Sequence, residues 1–508
     1  MNLLPWAIYI SFIGAGVILL MPRESKNAIR WVGLLTAVLG EWFALKGFFA
    51  YRALQAAGQN HGELVALGNT LNWIPQIGAH YQLAVDGINL PLVLLNGVIC
   101  FTGLLYSWNI ENRVKEFHAF FLTLIGGVYG VFMAMDGFLL FVFYEIAIIP
   151  KYFVIAIWGS TRKEYGAMKL VLYSFVGSAL VLIGLLAIYF QSGMGTFDLV
   201  QLRGAHFSPE FQRWCFPLVF VGFAVLAGMW PFHTWAPTGH VAAPTAASML
   251  LAGVVMKLGA YGCLRVAIML FPQGLEYWKW WVAGVAVIGI IYGALVAMVQ
   301  RDFKFVIGYS SVSHMGFVLL GLATLNLIGL QGAVLQMFSH GIIAGLLFAV
   351  VGRMVYDRTH TRQLVDLGGL WTIMPFTTIV FIIGGLASMG LPGFSGFIAE
   401  LQVLIGAWRA FPWLAIVSGA GILITVAYTL IVVHKAFFAT PKPQPAGAHV
   451  DHHYAPITWQ EVLASVILIA LTTLVGIYPN ILLDPISAST QVFLDGLNQG
   501  GQTALAGM

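Results

Sequence analysis

Charged residues are scarce in this sequence of 508 residues. Asp, Glu, Lys and Arg together make up 9% of it and hydrophobic residues make up 59%, whereas about 25% of an ordinary soluble domain is charged. This composition excludes a soluble globular enzyme and indicates an integral membrane protein. The formal net charge of +4 is also too small to indicate binding to nucleic acid.

Cysteine is scarce too. Cys100, Cys215 and Cys263 lie far apart and mostly within apolar runs, which gives neither a disulfide framework nor metal-ligand spacing. We found no Gly-rich nucleotide loop and no catalytic dyad, so the sequence predicts no cofactor and no metal. The first apolar segment begins at Leu3 without a basic stretch before it or a small-residue cleavage pattern after it, and we expect it to be a retained helix.

The sequence does contain many long apolar runs. Runs of about 20 residues are typical of membrane-spanning helices and not of barrel strands, so we expect an all-α polytopic membrane protein with about 14 transmembrane helices. The predicted spans are 3-21, 29-49, 87-107, 117-134, 136-158, 168-190, 215-251, 253-271, 279-299, 304-323, 328-352, 371-407, 413-435 and 460-480. A polar loop between the second and third spans is expected to fold over the membrane surface.

Two of these spans carry residues that interrupt a helix. The first is 215-251, which contains Pro231, Pro237, Gly239 and Pro244 and is followed by Lys257. The second is 371-407, with Gly390, Pro392, Gly393, Ser395 and Gly396 before Glu400. A broken helix in hydrocarbon leaves backbone groups that water cannot reach, so it persists only inside protein or beside a wet cavity. Two such breaks are typical of transporters built from two inverted repeats.

Lys and Arg predict the orientation of the chain in the membrane. The loops after odd-numbered spans hold roughly fifteen of these residues and the opposite loops hold roughly seven. The positive-inside rule therefore puts the odd-numbered exits in the cytoplasm and both termini outside. Trp278, Trp280 and Trp281 then lie at the outer interface, where aromatic residues are common.

Few ionisable residues remain at membrane depth. They are Glu145, Lys151, Lys257 and Glu400, with His233, His240, His314 and His340. Each charge at the centre of a bilayer costs at least about 2.5 to 3.5 kcal/mol, so such residues face protein or water and are functional by default. For Glu145 the alternative is a protonated acid that is hydrogen-bonded to a neighbouring helix.

His314 and His340 lie on consecutive spans. A single buried histidine is usually a core residue, but two of them beside Ser310, Ser311, Ser313 and Ser339 indicate a proton relay, because either imidazole nitrogen can pass a proton near neutral pH. Asp302 and Lys304 are expected to form an ion pair on a solvated rim. The segment around His449, His452 and His453 is interpreted as a flexible polar loop, since it lacks the partners of a closed metal site.

The residues also resemble a known family over nearly the whole chain. The motifs that carry the resemblance are LAVDGINLPLVLL around Asp86, IIPKYFVIAIWG, PFHTWAPTGHVAAPTAASMLLAGVVMKLGAYGCLR, QRDFKFVIGYSSVSHMGFVLLG and GGLASMGLPGFSGFIAE. They are similar to the M subunit (chain 4) family of NADH-quinone oxidoreductase, the respiratory complex I.

The resemblance implies an architecture and a role. It implies N-terminal helices in 1-116, two inverted five-helix repeats in 117-272 and 273-437, and a cytoplasmic loop, a last helix and an outer tail in 438-508. It also implies proton pumping in a bacterial inner membrane, driven by quinone reduction elsewhere, with no redox centre in this chain and with antiporter-like subunits on both sides. The family's proton-site residues carry over to Glu145, Lys257, His314, His340 and Glu400.

One position departs from the family. The family has a lysine on the seventh helix that partners the glutamate of the fifth, and Leu226 stands there in this chain. Lys151 lies on the fifth helix instead, and we hypothesise that it supplies the missing ammonium group. Lys151 follows Glu145 by six residues, so on a regular helix its side chain points about 240° round the axis from that of Glu145. Pro150 can kink the helix and change the direction in which Lys151 points. The usual LPD motif is also changed, to Ala236-Pro237-Thr238, which removes an acidic group.

Two other functions stay open at the level of sequence. A related antiporter-like subunit of a multisubunit Na⁺/H⁺ antiporter or of a membrane-bound hydrogenase would carry similar motifs. A structural spacer that has lost transport would explain Leu226, but such a spacer would gain stability by replacing Glu145, Lys257 and Glu400 with leucine.

Overall fold

The computed structural model describes residues 2–440 and 454–506, with side chains described up to residue 497. His449, His452 and His453 lie outside the described residues. The α-helices are α1 (Trp6–Leu20), α2 (Lys26–Ala56), α3 (Leu90–Tyr106), α4 (Val114–Met133), α5 (Gly137–Trp158), α6 (Lys163–Ser192), α7 (Leu199–Leu202), α8 (Pro209–Ala227), α9 (Trp235–Ala242), α10 (Thr245–Leu250), α11 (Met256–Gly262), α12 (Pro272–Val299), α13 (Phe303–Ala323), α14 (Leu327–Ala349), α15 (Asp357–Thr359), α16 (Leu370–Ile373), α17 (Pro375–Ser388), α18 (Ser395–Ala410), α19 (Pro412–Val433), α20 (Trp459–Ile477) and α21 (Asn480–Ala506).

The predicted class of fold is confirmed. Eleven helical segments of the described chain are long and apolar enough to cross a membrane, with α8 and α9 counted as one crossing. Three shorter apolar helices, α1, α3 and α17, complete the predicted set of about 14 crossings. The second broken crossing consists of α17 and α18, which are separated by residues 389–394.

The boundary between the seventh and eighth spans differs from the prediction. Pro244 was expected to interrupt the seventh span, but that crossing ends at Ala242 and the eighth begins at Thr245. The residue before a proline is driven out of the helical region, and Ala243 has an extended ψ of 149°. Pro244 therefore separates two crossings, and the break within the seventh lies between Gly228 and Thr234.

Short helical segments of other types continue several helices. Residues Pro75–Ile77 form one 3₁₀ turn and residues Phe232–Thr234 form another. The π-helical segments are Leu251–Val255, Cys263–Ile268, Val350–Tyr356 and His434–Phe438. The first two of these π segments flank α11, so one crossing is made of α10, a π turn, α11 and a second π turn.

The polar loop between α2 and α3 folds into two small antiparallel pairs of strands. The strands are β1 (Val65–Ala66), β2 (Leu71–Ile74), β3 (Ala79–Tyr81) and β4 (Ala84–Val85), with β1 paired to β4 and β2 to β3. The end of the chain forms the long helix α21, which the apolar runs do not predict. Ser489 of α21 bonds to the hydroxyl of Tyr51 on α2 and to the N–H of Gly87, so this helix joins the loop to the bundle.

The centre of the bundle is formed by the eighth and eleventh crossings. All residues in the most apolar stretches of Thr245–Ile268 and of Leu327–Thr359 are buried. Helices that are apolar on every side belong in the interior of a large protein. These two crossings carry Lys257 and His340, so both side chains reach the middle of the protein.

Candidate functional site

Lys257 and His340 are in direct contact at the centre of the bundle. The Nζ atom of Lys257 lies 2.7 Å from Nδ1 of His340, and it also donates a hydrogen bond to the carbonyl of Ala252. Lys257 is fully buried. The π-helical turn Leu251–Val255 ends directly before α11, the helix that carries Lys257. Turns of this kind are common at functional sites. The contact gives the buried ammonium group two acceptors.

His314 and Glu400 form the second contact. The Nδ1 atom of His314 lies 2.9 Å from Oε1 of Glu400, and its Nε2 atom lies 3.2 Å from the hydroxyl of Ser388. The amide of Gln336 donates to the same Glu400 oxygen at 3.3 Å. Both nitrogens of the imidazole therefore have polar partners, and Glu400 is buried next to a group that can carry a positive charge.

The two contacts belong to one polar axis. The rings of His314 and His340 are tilted towards each other, with centroids 5.3 Å apart. A small cavity of about 10 Å³ lies beside them and is lined by both histidines, Glu400, Gln336 and Ser388. The order along the axis is Lys257, His340, His314 and Glu400. The structure thus brings together four of the six residues that were predicted from the sequence.

The second broken helix positions Glu400. Gly390 and Gly393 have φ angles of 71° and 103°, which favour glycine. A Cβ atom on Gly390 would lie 3.0 Å from Oε2 of Glu400, so the turn packs closely against the carboxylate. Ser395 starts α18 and bonds to Ser339 of α14 at 2.7 Å. The break therefore has polar partners inside the protein, as a break in hydrocarbon requires.

Glu145 and Lys151 lie apart from this axis, on α5. Glu145 is partly exposed, and its Oε1 atom is buried without a hydrogen-bond partner. Lys151 is only 1% exposed, and its Nζ atom also has no partner. The two charges act on each other without contact, and Ser178 lies next to Glu145. Lys151 thus points into the protein and not to lipid.

In the first broken crossing, other groups form hydrogen bonds with the backbone carbonyls near the break. α8 ends at Ala227 and is capped by Gly228, which has a φ of 80° and donates its N–H to the carbonyl of Val225 at 3.2 Å. The indole N–H of Trp235 donates to the same carbonyl at 2.8 Å. The carbonyls at the end of α9 are also capped. Ser248 donates to the carbonyl of His240 and Arg362 donates to that of Val241.

The prediction for Asp302 and Lys304 was wrong. Lys304 is 2% exposed and donates to the carbonyl of Ala243 at 3.1 Å. Asp302 caps its own helix and pairs with Arg362 at 3.3 Å instead. Sequence position alone suggested a rim, because Lys304 lies near a helix start. Only the packing of α13 against the end of α9 encloses the ammonium group.

His240 lies near both buried lysines. It is fully buried, both ring nitrogens lack partners, and the charges of Lys257 and Lys304 both act on it. Sequence reasoning noted His240 at membrane depth but gave it no role. The available signal was its position immediately before the Pro244 boundary. His233, the other histidine near this break, packs against the ring of Tyr292.

A buried ion pair anchors the far end of the eighth crossing. Arg265 donates to Asp86 at 2.7 Å and to the hydroxyl of Tyr261 at 3.1 Å, and both charged groups are buried. Asp86 also caps the turn before α3 through the backbone of Ile88. This pair fixes the segment that holds Lys257 to the loop between α2 and α3.

Comparisons with known proteins agree with this architecture. The profile of the family described as "NADH:quinone oxidoreductase/Mrp antiporter, TM" matches residues 134–425. The chain is 36% identical over 504 residues to NADH-quinone oxidoreductase subunit M of Pseudomonas aeruginosa, covering 96% of each chain. These matches include both broken helices and all six predicted site residues.

Solved structures show the same fold. A chain of respiratory complex I from Thermus thermophilus superposes with a TM-score of 0.87 at 27% identity, covering 98% of this chain and 100% of that one. A chain of the Mrp complex from Dietzia has a TM-score of 0.84 at 20% identity, with 97% of each chain covered. At that identity the second likeness shows the fold alone.

Proposed function

The chain belongs to the NADH:quinone oxidoreductase/Mrp antiporter transmembrane family, and from that membership we propose that it is a proton-translocating membrane subunit of a bacterial NADH:quinone oxidoreductase. It carries no redox centre of its own in this proposal. The observation that carries the proposal is the buried row of ionisable groups from Lys257 through His340 and His314 to Glu400. Each of these groups can gain or lose a proton.

The chemistry of the row suits stepwise proton transfer. Lys257 in its charged form can donate to Nδ1 of His340, and a neutral imidazole accepts at one nitrogen while it donates from the other. His314 then stands between His340 and the carboxylate of Glu400. Lys304 and His240 are buried near Lys257 and are the groups through which we propose that protons reach it from the cytoplasm.

Substitution of Lys257 tests this function. In the assembled complex in inverted membrane vesicles, Lys257→Met should slow NADH-driven proton uptake through this subunit on the order of 100-fold, the size of effect expected for a positioned proton-transfer group. Lys279→Met is the matched control, because Lys279 pairs with Glu276 at the surface. Unchanged proton uptake in Lys257→Met would contradict the proposal. Uptake that requires Na⁺ would instead indicate that sodium is the transported ion.

We also propose that Lys151 replaces the absent lysine of the seventh helix. Its Nζ atom is buried and unpartnered, it is electrostatically coupled to Glu145, and Leu226 is fully buried in the position where the family has lysine. A buried ammonium group without partners is costly. Within the part of the chain that the structure describes, only the charge of Glu145 offsets that cost, without a hydrogen bond to Nζ, which supports a functional reason for it.

A rescue experiment separates this role from simple packing. Lys151→Met should reduce proton uptake about tenfold, and the double variant Lys151→Met/Leu226→Lys should recover most of the loss, because it returns the ammonium group to the family's position. Leu226→Lys alone is the control, since it adds a second buried charge. If Lys151→Met pumps normally, Lys151 is not a member of the proton path.

The orientation and the partners are further parts of the proposal. We place both termini on the outer side, the odd-numbered exits in the cytoplasm and antiporter-like subunits on both sides of the chain, with the two repeats at 117-272 and 273-437. In support of this orientation, charged residues at different odd-numbered exits form ion pairs with one another. Lys26 bonds to Glu111 at 2.9 Å, Arg358 to Glu461 at 2.8 Å and Arg362 to Asp302 at 3.3 Å.

A further inference from the structure

Glu41 is an ionisable residue at membrane depth that lies outside both proposed repeats. It is the middle residue of α2, a helix of 31 residues that crosses the membrane. Sequence reasoning did not single it out, although it falls inside the predicted span 29-49. A charge at this depth costs at least about 2.5 to 3.5 kcal/mol and is rarely kept without a function.

The carboxyl group of Glu41 occupies a space that only glycine leaves open. A Cβ atom on Gly97 of α3 would lie 1.9 Å from Oε2 of Glu41 and 2.5 Å from the hydroxyl of Tyr129 on α4. The carboxyl and the phenol therefore meet over the bare backbone of Gly97. α3 and α4 thus form a polar niche for a side chain that comes from α2.

Among the described residues, the buried polar atoms of this niche have no hydrogen-bond partner. Oε2 of Glu41 and the hydroxyl of Tyr129 are both buried without a hydrogen bond, and Tyr129 is 1% exposed. Cys100 is the other titratable group that faces Glu41 from α3. On α1 the titratable side chain is Tyr9, which is bonded to Tyr81 in the outer loop. Within the described residues no cation forms an ion pair with Glu41.

We propose that Glu41 is a second proton-binding site in the membrane, separate from the axis of Lys257 and Glu400. Its carboxyl group holds a proton at neutral pH because no cation neutralises the charged form. A bound proton turns the partly exposed Glu41 side chain into a neutral donor, and its hydrogen bond then goes to the hydroxyl of Tyr129, which otherwise has no partner in the described chain. This inference does not depend on the role proposed for the central axis.

Infrared spectroscopy of the assembled complex tests the proposal. A protonated carboxylic acid has a C=O stretching band that an ionised carboxylate lacks. We expect Glu41→Gln to remove one such band at neutral pH, and Tyr129→Phe to shift that band upward because a hydrogen bond to the acid is lost. Glu276→Gln is the matched control, since Glu276 is exposed and paired with Lys279. A spectrum that is unchanged by Glu41→Gln overturns the proposal, and a band that Tyr129→Phe does not shift overturns the part played by Tyr129.

Chemical labelling of the unmodified complex decides the question if Glu41→Gln does not assemble. Dicyclohexylcarbodiimide reacts with protonated carboxylic acids in apolar surroundings. The acid proton moves to a nitrogen of the reagent, the carboxyl oxygen bonds to its central carbon, and the adduct rearranges to an N-acylurea with no leaving group. Peptide mass spectrometry should find Glu41 labelled and Glu276 unlabelled. In that case an unlabelled Glu41 overturns the proposal.

Discussion

The central axis and helix α5 hold similar ionisable groups in different states of contact. In the axis His340 touches Lys257 at 2.7 Å and His314 touches Glu400 at 2.9 Å. On α5 the Oε1 atom of Glu145 and the Nζ atom of Lys151 are buried without a hydrogen-bond partner. A buried charge is tolerated when other groups satisfy it and is costly when none do. The axis is therefore an assembled network, whereas α5 keeps its two ionisable groups out of contact.

Paired substitution of the two glutamates gives the largest effect. Glu400→Gln should slow proton uptake on the order of 100-fold, because it replaces the titratable carboxylate that accepts from His314 and Gln336 with a neutral amide. Glu145→Gln should slow uptake about tenfold, since Oε1 of Glu145 has no hydrogen-bond partner. Vesicle acidification measures both, with Glu276→Gln as the control. An equal or larger loss in Glu145→Gln would show that contact within this chain does not decide the strength of coupling.

Substitution of the serine beside each ionisable group has a smaller effect. Ser388→Ala removes the 3.2 Å contact with Nε2 of His314 and should slow proton uptake about fivefold, the equivalent of about 1 kcal/mol. Ser178→Ala should change uptake less than about twofold, because the Ser178 hydroxyl is already bonded to the carbonyl of Phe175 at 3.2 Å. If both variants behave alike, the hydroxyl at Ser388 does not orient His314.

The smallest effects concern the two helix breaks. Trp235→Phe removes the indole donor of the Val225 carbonyl, which keeps only the N–H of Gly228, and it also removes part of a fully buried side chain. It should therefore lower the free energy of unfolding by about 1–3 kcal/mol. Thr472→Val removes the 2.9 Å bond to Ser395, and because Ser395 keeps Ser339 as a partner, the cost should be about 1 kcal/mol. Thermal unfolding in detergent measures both. If Thr472→Val lowered the free energy of unfolding more than Trp235→Phe, this expected order would be wrong.

Much of the fold could be predicted from the sequence. The apolar runs predict the crossings, and the Pro and Gly residues predict two breaks, because hydropathy and backbone restriction are local properties. The position of the first break could not be predicted from local signals, since Pro231 and Pro244 look alike in sequence. Packing decides which of them interrupts a crossing and which separates two.

The candidate site was predicted less evenly. Lys257, His314, His340 and Glu400 were predicted as ionisable residues at depth and meet as expected. Lys304 was missed, because its burial depends on Ala243, which is far away in the chain. Glu41 was missed although its span was identified, since no single-residue pattern shows that Gly97 and Tyr129 surround it.

By itself the amino-acid sequence determined that this protein crosses a membrane many times, and that a few titratable side chains, such as Lys257 and Glu400, lie at the depth of the hydrocarbon. Both follow from the cost of transferring polar groups out of water, which depends on composition over about 20 residues. The tertiary structure decided which of these side chains touch. Contacts such as that of Lys257 with His340, or of Glu41 with Gly97, depend on how helices distant in sequence pack and rotate against each other.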